Sequence, residues 1–220
     1  MTDKTLNRTP RGSRLHIAIF GRRNAGKSSL INALTNQNIA IVSDIPGTTT
    51  DPVYKSMEIL PIGPVVLIDT AGIDDVGELG RLRMEKTMAV LAKTDLLLLV
   101  IDPASGAGQY EENLIKQAKA QGLAVIAAIN KTDLYPDAAV AEAAASLGVP
   151  ALPVSALTRV GIEDLKMAII RAAPKDWMGS TIVGDLISPG DTVVLVVPID
   201  LAAPKGRLIL PQVQTLREVL

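Results

Sequence analysis

The stretch GRRNAGKS, Gly21 to Ser28, constrains this chain more than any other feature. It follows the apolar run RLHIAIF (14–20) and opens GKSSLINALTN (26–36), whose apolar residues recur at helical spacing. Gly21 and Gly26 let the backbone turn tightly so that amide hydrogens converge, and the helix N-terminus adds its dipole. The stretch is therefore a phosphate cradle. Lys27 supplies a point charge, Ser28 a hydroxyl suited to Mg²⁺, and Ala25 and Ser29 complete the loop. A strand before it and a helix after it separate this pattern from a chance glycine-rich turn.

Such a loop needs a sheet behind it, and the remaining chain supplies one. VVLID (65–69), LLLLVID (96–102), LAVIAAIN (123–130) and PALPVSA (150–156) have strand length and are apolar throughout. Runs of that kind suit a parallel sheet covered on both faces. Between them LGRLRMEKTMAVLAKT (79–94), YEENLIKQAKAQG (110–122), DAAVAEAAASLG (137–148) and GIEDLKMAIIRAA (161–173) have helical spacing. YKSMEIL (54–60) alternates and is expected to be an antiparallel edge strand beside PVVLID. The predicted fold is α/β and doubly wound: a six-stranded, mostly parallel sheet with helices on both faces.

Expected boundaries are a flexible tail at 1–14, a nucleotide domain at 15–173, a Pro- and Gly-rich linker at 174–190, and a further domain beginning at 191–220. The last piece holds a predicted strand at 192–198 and the start of a helix, and it is too small to bury its own Val, Leu and Ile. A second subunit or a continuation is expected to cover it. Trp177 and Met178 are read as packing between domains.

Four further motifs fall in the order a guanine-nucleotide site requires. In DTAG (69–72), Asp69 can hold Mg²⁺ through water and the Gly72 amide can reach a terminal phosphate. PGTTTD (46–51) offers a threonine to complete the Mg²⁺ shell. NKTD (130–133) brings Asn130, Lys131 and Asp133 near a base edge, and the backbone of SAL (Ser155, Ala156, Leu157) can cover the guanine carbonyl. An Asp carboxylate accepts two donors from guanine, whereas adenine leaves the charge unpaired. Unmet groups of this kind give discrimination on the order of 10⁴ or more.

Composition narrows partners. The 220 residues carry a formal charge of -1, with one Trp, three Tyr and one Phe. The basic residues near the start (Lys4, Arg8, Arg11, Arg14) form a small group, read as a solvated tail. A nucleic-acid partner is not expected, because charge and stacking surface are both lacking. No apolar run reaches the roughly 18–20 residues of a membrane span, so a cytoplasmic protein without membrane contact is expected. The absence of cysteine excludes disulfides and thiolate-held metal on these residues.

With these motifs in place, residues 15–172 resemble a Ras-like P-loop GTPase domain of the TrmE-Era branch. GRRNAGKSSLINALTNQNIAIVSDIPGTTTDPVYKSMEI, followed by VGDLISPGDTVVLVVPIDLAAPKGRLILPQVQTLREVL, resembles more narrowly the HydF family of FeFe-hydrogenase maturation GTPases. The second segment is similar to the opening of that family's dimerisation domain. The resemblance implies GTP and GDP as ligands, hydrolysis of GTP, a homodimer through the C-terminal segment, and hydrogenase-maturation partners. That family also carries a cysteine-ligated 4Fe-4S domain, so no iron–sulfur cluster is expected on this chain. It is expected to be an N-terminal fragment, or a family member lacking that function.

The resemblance also bears on catalysis. In Ras a glutamine after DTAG orients water and a partner's arginine finger neutralises charge, which is worth up to about 10⁵ in rate. Here Ile73 follows Gly72 and cannot orient water. TrmE-branch relatives use potassium instead, held by an asparagine at the position of Asn24 and by loop carbonyls. The competing role for Asn24 is to stabilise the turn. Thr49 matches the relatives' Mg²⁺ threonine, with Thr48 and Thr50 as alternatives. Lys27, Asn24, Thr49 and Gly72 are thus the candidate catalytic set. The relatives' switch glutamate has no match: Gly80 or Leu79 falls near its slot, and Asp75 and Glu78 read as surface charges. Slow intrinsic turnover is expected. His16 is read as packed or edge-exposed rather than catalytic. The alternatives are a TrmE/Era-like GTPase acting in tRNA modification or ribosome assembly, and a nucleotide-dependent interaction module with little turnover.

Overall fold

The computed structural model describes residues 14–35, 52–60, 62–70, 80–174, 183–196, 215, 216 and 219, with the backbone alone for 80–84. The elements are β1 (Leu15–Phe20), α1 (Lys27–Thr35), β2 (Val53–Ile59), β3 (Gly63–Asp69), α2 (Gly80–Leu91) and β4 (Leu96–Ile101). They continue with α3 (Gln109–Ala120), β5 (Ala124–Ile129), α4 (Asp137–Ala145), β6 (Ala151–Pro153) and α5 (Ile162–Ala172).

The six strands form one sheet of order β2-β3-β1-β4-β5-β6. Strand β2 runs antiparallel to β3, with Val53 opposite Asp69 and Ile59 opposite Gly63, and the other pairs are parallel. The alternation in YKSMEIL therefore identifies the antiparallel edge. Parallel strands cannot be joined by tight turns, so each crossover carries a helix.

Side chains two apart along a strand share a face, and the apolar runs divide accordingly. Leu15, Ile17 and Ile19 of β1, with Leu96, Leu98 and Val100 of β4, pack against Leu30, Ile31 and Leu34 of α1 and Leu165 and Ile169 of α5. The alternate residues Ala18, Phe20, Leu97, Leu99 and Ile101 pack on the opposite face with Leu91 of α2, Leu114 and Ile115 of α3 and Val140 of α4. Full burial of each such Leu or Ile contributes about 1.5–3 kcal/mol before chain entropy is set against it. Because both faces are covered, a run such as LLLLVI shows no polar alternation.

Connections from β1 lead to one side of the sheet and those after β3 to the other, so the strand order reverses at β1 and β4. The crevice beyond the carboxyl ends of those strands is where ligands bind in open α/β sheets. The loop Gly21–Gly26 sits there.

One expectation is corrected. Residues 192–196 of the predicted strand 192–198 belong to no strand, and 197–198 lie outside the described residues. Val194 and Val196 are 80% and 88% exposed. A β-prone run becomes a strand only when another strand completes its hydrogen bonds. Trp177, Met178 and the tail before residue 14 also lie outside the described residues.

Candidate nucleotide site

Close contacts and local bonds hold the phosphate loop. Gly21 has φ 154°, and a Cβ there would lie 2.2 Å from the Val100 carbonyl oxygen of β4. No other residue type fits. The Ala25 amide donates to the Arg22 carbonyl at 3.2 Å, and Leu30 donates to the Gly26 carbonyl at 2.8 Å as α1 begins. Asn24 takes a left-handed conformation (φ 63°), which Asn tolerates better than most residues. Its side chain is exposed. Lys27 is buried, and its ammonium donates to the carbonyls of Gly21 (2.5 Å) and Arg22 (3.2 Å), which lays its charge across the loop.

Hard oxygen donors meet beside the loop. The Ser28 hydroxyl donates to Asp69 Oδ2 at 3.2 Å, joining the first turn of α1 to the carboxyl end of β3. Next to Asp69, the Thr70 hydroxyl donates to the Ile19 carbonyl at 2.6 Å and pins β3 to β1. One hydroxyl and one carboxylate do not make a complete cage, and no group of three or more His, Cys, Asp or Glu among the described residues does so. Mg²⁺ suits such a set, since it keeps waters and takes its remaining ligands from substrate phosphates. The predicted partners Thr49 and Gly72, with Thr48, Thr50, Ile73, Asp75, Glu78 and Leu79, lie outside the described residues.

The base-side motifs lock to one another and to the loop. Asn130, 2% exposed at the end of β5, donates through Nδ2 to the Ala25 carbonyl (2.9 Å) and accepts from the Ala156 amide (3.0 Å). Gly26 is obligatory beside it, because a Cβ there would lie 2.3 Å from Asn130 Nδ2. The sequence put Asn130 near a base edge and the SAL backbone over a carbonyl; here both first serve as a strut between three motifs. Asp133 keeps an exposed carboxylate, oriented by the Ser155 hydroxyl at 2.5 Å. Ser155 is fully buried, and its oxygen in turn accepts from the Thr158 amide at 3.0 Å.

Two residues outside the sequence motifs complete the arrangement. Lys131 has φ 64°, and its ammonium lies 2.6 Å from Asp102 Oδ2 at the end of β4. Burial opposes ionisation of Asp102, but hydrogen bonds from Lys131, the Ala104 amide and Tyr135, with the Lys131 charge, together hold its carboxyl below the usual range. On the other flank, Arg22 donates through Nε (2.8 Å) and Nη2 (2.9 Å) to Glu111 of α3. Neither acid was legible as a site residue. The 29 and 89 positions separating each from its partner follow no local spacing rule.

A glycine loop with a buried lysine, a hydroxyl–carboxylate pair beside it and an oriented carboxylate at the carboxyl ends of the strands have the form of a P-loop nucleotide protein. Comparison with known proteins agrees: the chain belongs to the family described as 50S ribosome-binding GTPase, whose model matches residues 16–131. Residues 182–220 match a second model, the Hydrogen maturase F dimerization domain, so a GTPase domain is followed here by HydF-type dimerisation sequence. A tRNA modification GTPase MnmE from Geobacillus thermodenitrificans is 41% identical over 159 residues, 70% of this chain and 33% of that protein. The chain thus spans about a third of the length of such relatives. Among solved structures, Aquifex aeolicus Era bound to GDP and AlF4⁻ superposes with a TM-score of 0.59 at 28% identity, over 72% of this chain and 56% of Era. The G domain of the T. maritima FeoB iron transporter gives 0.53 at 26% identity, over 72% of this chain and 98% of that one. No helix among the described residues is long and apolar enough to cross a membrane.

Proposed function

We propose that this chain is a GTP-binding and GTP-hydrolysing switch in the maturation of FeFe-hydrogenase. The observation that carries the reading is the match to the Hydrogen maturase F dimerization domain directly behind a GTPase domain. Dimerisation through the segment after 182 brings two nucleotide sites into one particle.

In this reading the amides of Gly21 to Ser29 and the Lys27 ammonium bind the phosphates, and Asp133 accepts from guanine. Lys131 lies along the base, held by Asp102, and Asn130 and Ala156 keep the base pocket joined to the loop. Ser28, Asp69 and Thr49 would hold Mg²⁺, which neutralises phosphate charge. Phosphoryl transfer asks the protein chiefly for position and positive charge. Arg22 is not available as that charge, because Nε and Nη2 are committed to Glu111. Asn24 stands at the crest of the loop with an exposed carboxamide that has no hydrogen-bond partner among the described residues. Its oxygen suits a monovalent cation, and we assign K⁺ to it; the Gly72 amide would meet the terminal phosphate. With Ile73 where Ras has its water-orienting glutamine, slow intrinsic turnover is expected.

A second reading, action on tRNA, is favoured by the 41% identity to MnmE. That identity covers 70% of this chain and a third of the relative, and the net charge of -1 offers no phosphate-backbone footprint. The two readings part in the cell. Deleting the coding region from an organism that makes an FeFe-hydrogenase is expected to abolish its hydrogen evolution, with rescue by the intact gene and not by Lys27→Ala. Full hydrogenase activity alongside lost tRNA modification would give the second reading the place of the first.

A further inference from the structure

Glu111 is the most deeply buried acidic side chain among the described residues, at 0% exposure, and nothing in the nucleotide chemistry above uses it. A buried carboxylate without partners is strongly unfavourable, so its partners show what it acts on. One lies within its own helix: as the third residue of α3, Glu111 accepts from the Gly108 amide at 2.8 Å, which satisfies a free helix-terminal donor. The others lie 89 positions away, the Nε and Nη2 of Arg22, second residue of the phosphate loop.

Helix α3 does not itself call for that guanidinium. A cation at a helix N-terminus opposes the helix dipole, and the Gly108 contact alone caps the turn. The guanidinium nevertheless packs closely on the turn: a Cβ on Gly108 would lie 2.7 Å from Arg22 Nη2. At the other end, the Arg22 carbonyl is the acceptor for both the Ala25 amide and the Lys27 ammonium. Gly21, one residue earlier, is pressed on Val100. The loop is thus fixed at its first residue by β4 and at its second by α3.

We propose that Glu111 is a positioning residue for the phosphate loop: it holds Arg22 so that the loop amides and Lys27 keep the arrangement that receives nucleotide phosphates. This rests on the guanine-nucleotide reading above. Glu111 touches no substrate; it acts through Arg22, and its effect falls on the phosphates rather than on the base.

The test measures GDP and IDP affinity by titration calorimetry on the whole chain, well below each protein's melting temperature. The proteins are wild type, Glu111→Gln, Arg22→Gln and the double variant. GDP binding by wild type tests the nucleotide reading, and the ratio of variant to wild type tests this one. Glu111→Gln is expected to weaken GDP and IDP alike by about tenfold, the scale of one lost charge-assisted hydrogen bond. The GDP-to-IDP ratio stays unchanged, because Asp133 is untouched. Arg22→Gln, which alters a half-exposed side chain, is expected to give the same parallel loss even where Glu111→Gln does not fold. The double variant loses no more than either single one, since each removes the same link. Wild-type GDP affinity in the single variants, with only a lowered melting temperature, overturns the proposal, as does a loss confined to one of the two nucleotides.

Discussion

At the scale of single residues, the site is a set of side chains each held by a second one. Asp133 is oriented by Ser155, Lys131 by Asp102, and Asn130 is engaged at both ends. Asp133→Asn is expected to exchange guanine for xanthine preference, since the new amide donates to the xanthine carbonyl where the carboxylate accepted from guanine. Competition of GTP and XTP for the site measures it, and unchanged GTP affinity would remove Asp133 from base reading. Asp102 gives a pH signature. Its folded-state carboxyl titrates below its unfolded value, so the folded state binds fewer protons. The stabilisation is complete above about pH 4, the ordinary Asp value, and is lost as pH falls through the lower folded value. Asp102→Asn therefore shows a shallower loss of melting temperature on acidification below about pH 4 than wild type. The motif residues were legible because fixed spacing encodes them. Asp102 and Glu111 were not, because tertiary folding alone brings them to Lys131 and Arg22.

At the scale of elements, most of the fold could be read from pattern. Uniform apolar runs gave the parallel strands, and the alternation in YKSMEIL gave the antiparallel edge. The predicted strand at 192–198 failed for a reason of the same kind. Its run of Val and Leu residues suits a strand, but a sequence does not carry the partner that would complete the hydrogen bonds. Glycines divide along similar lines. Gly21 and Gly122 both have positive φ, yet only Gly21 has a backbone oxygen where a Cβ would go. Gly122→Ala is expected to cost about 1–2 kcal/mol, the price of a left-handed conformation. Gly21→Ala adds an overpacking cost of about 1–3 kcal/mol and displaces the loop, so nucleotide binding falls with stability. Thermal melts and GDP titrations of the two variants check this; equal behaviour would contradict the close approach of Gly21 to β4.

At the scale of the whole molecule, a complete sheet with its helices is followed by sequence that leaves large apolar side chains exposed. Leu186, Val194 and Val196 are 77%, 80% and 88% exposed, within the segment that matches a dimerisation domain. A dimer of the proposed kind would cover that surface. What the phosphate loop contributes to the proposed hydrolysis is the central claim. In the proposed reading Lys27 and the loop amides would hold the phosphates and a cation at Asn24 would supply the missing charge, since Arg22 is engaged by Glu111. GTP hydrolysis in potassium and in sodium salts at equal ionic strength, for wild type and Asn24→Ala, tests it most directly. Wild type is expected to turn over at least about tenfold faster in potassium, a part of what an arginine finger supplies, and Asn24→Ala to show the same low rate in both. Equal wild-type rates in the two salts would contradict it.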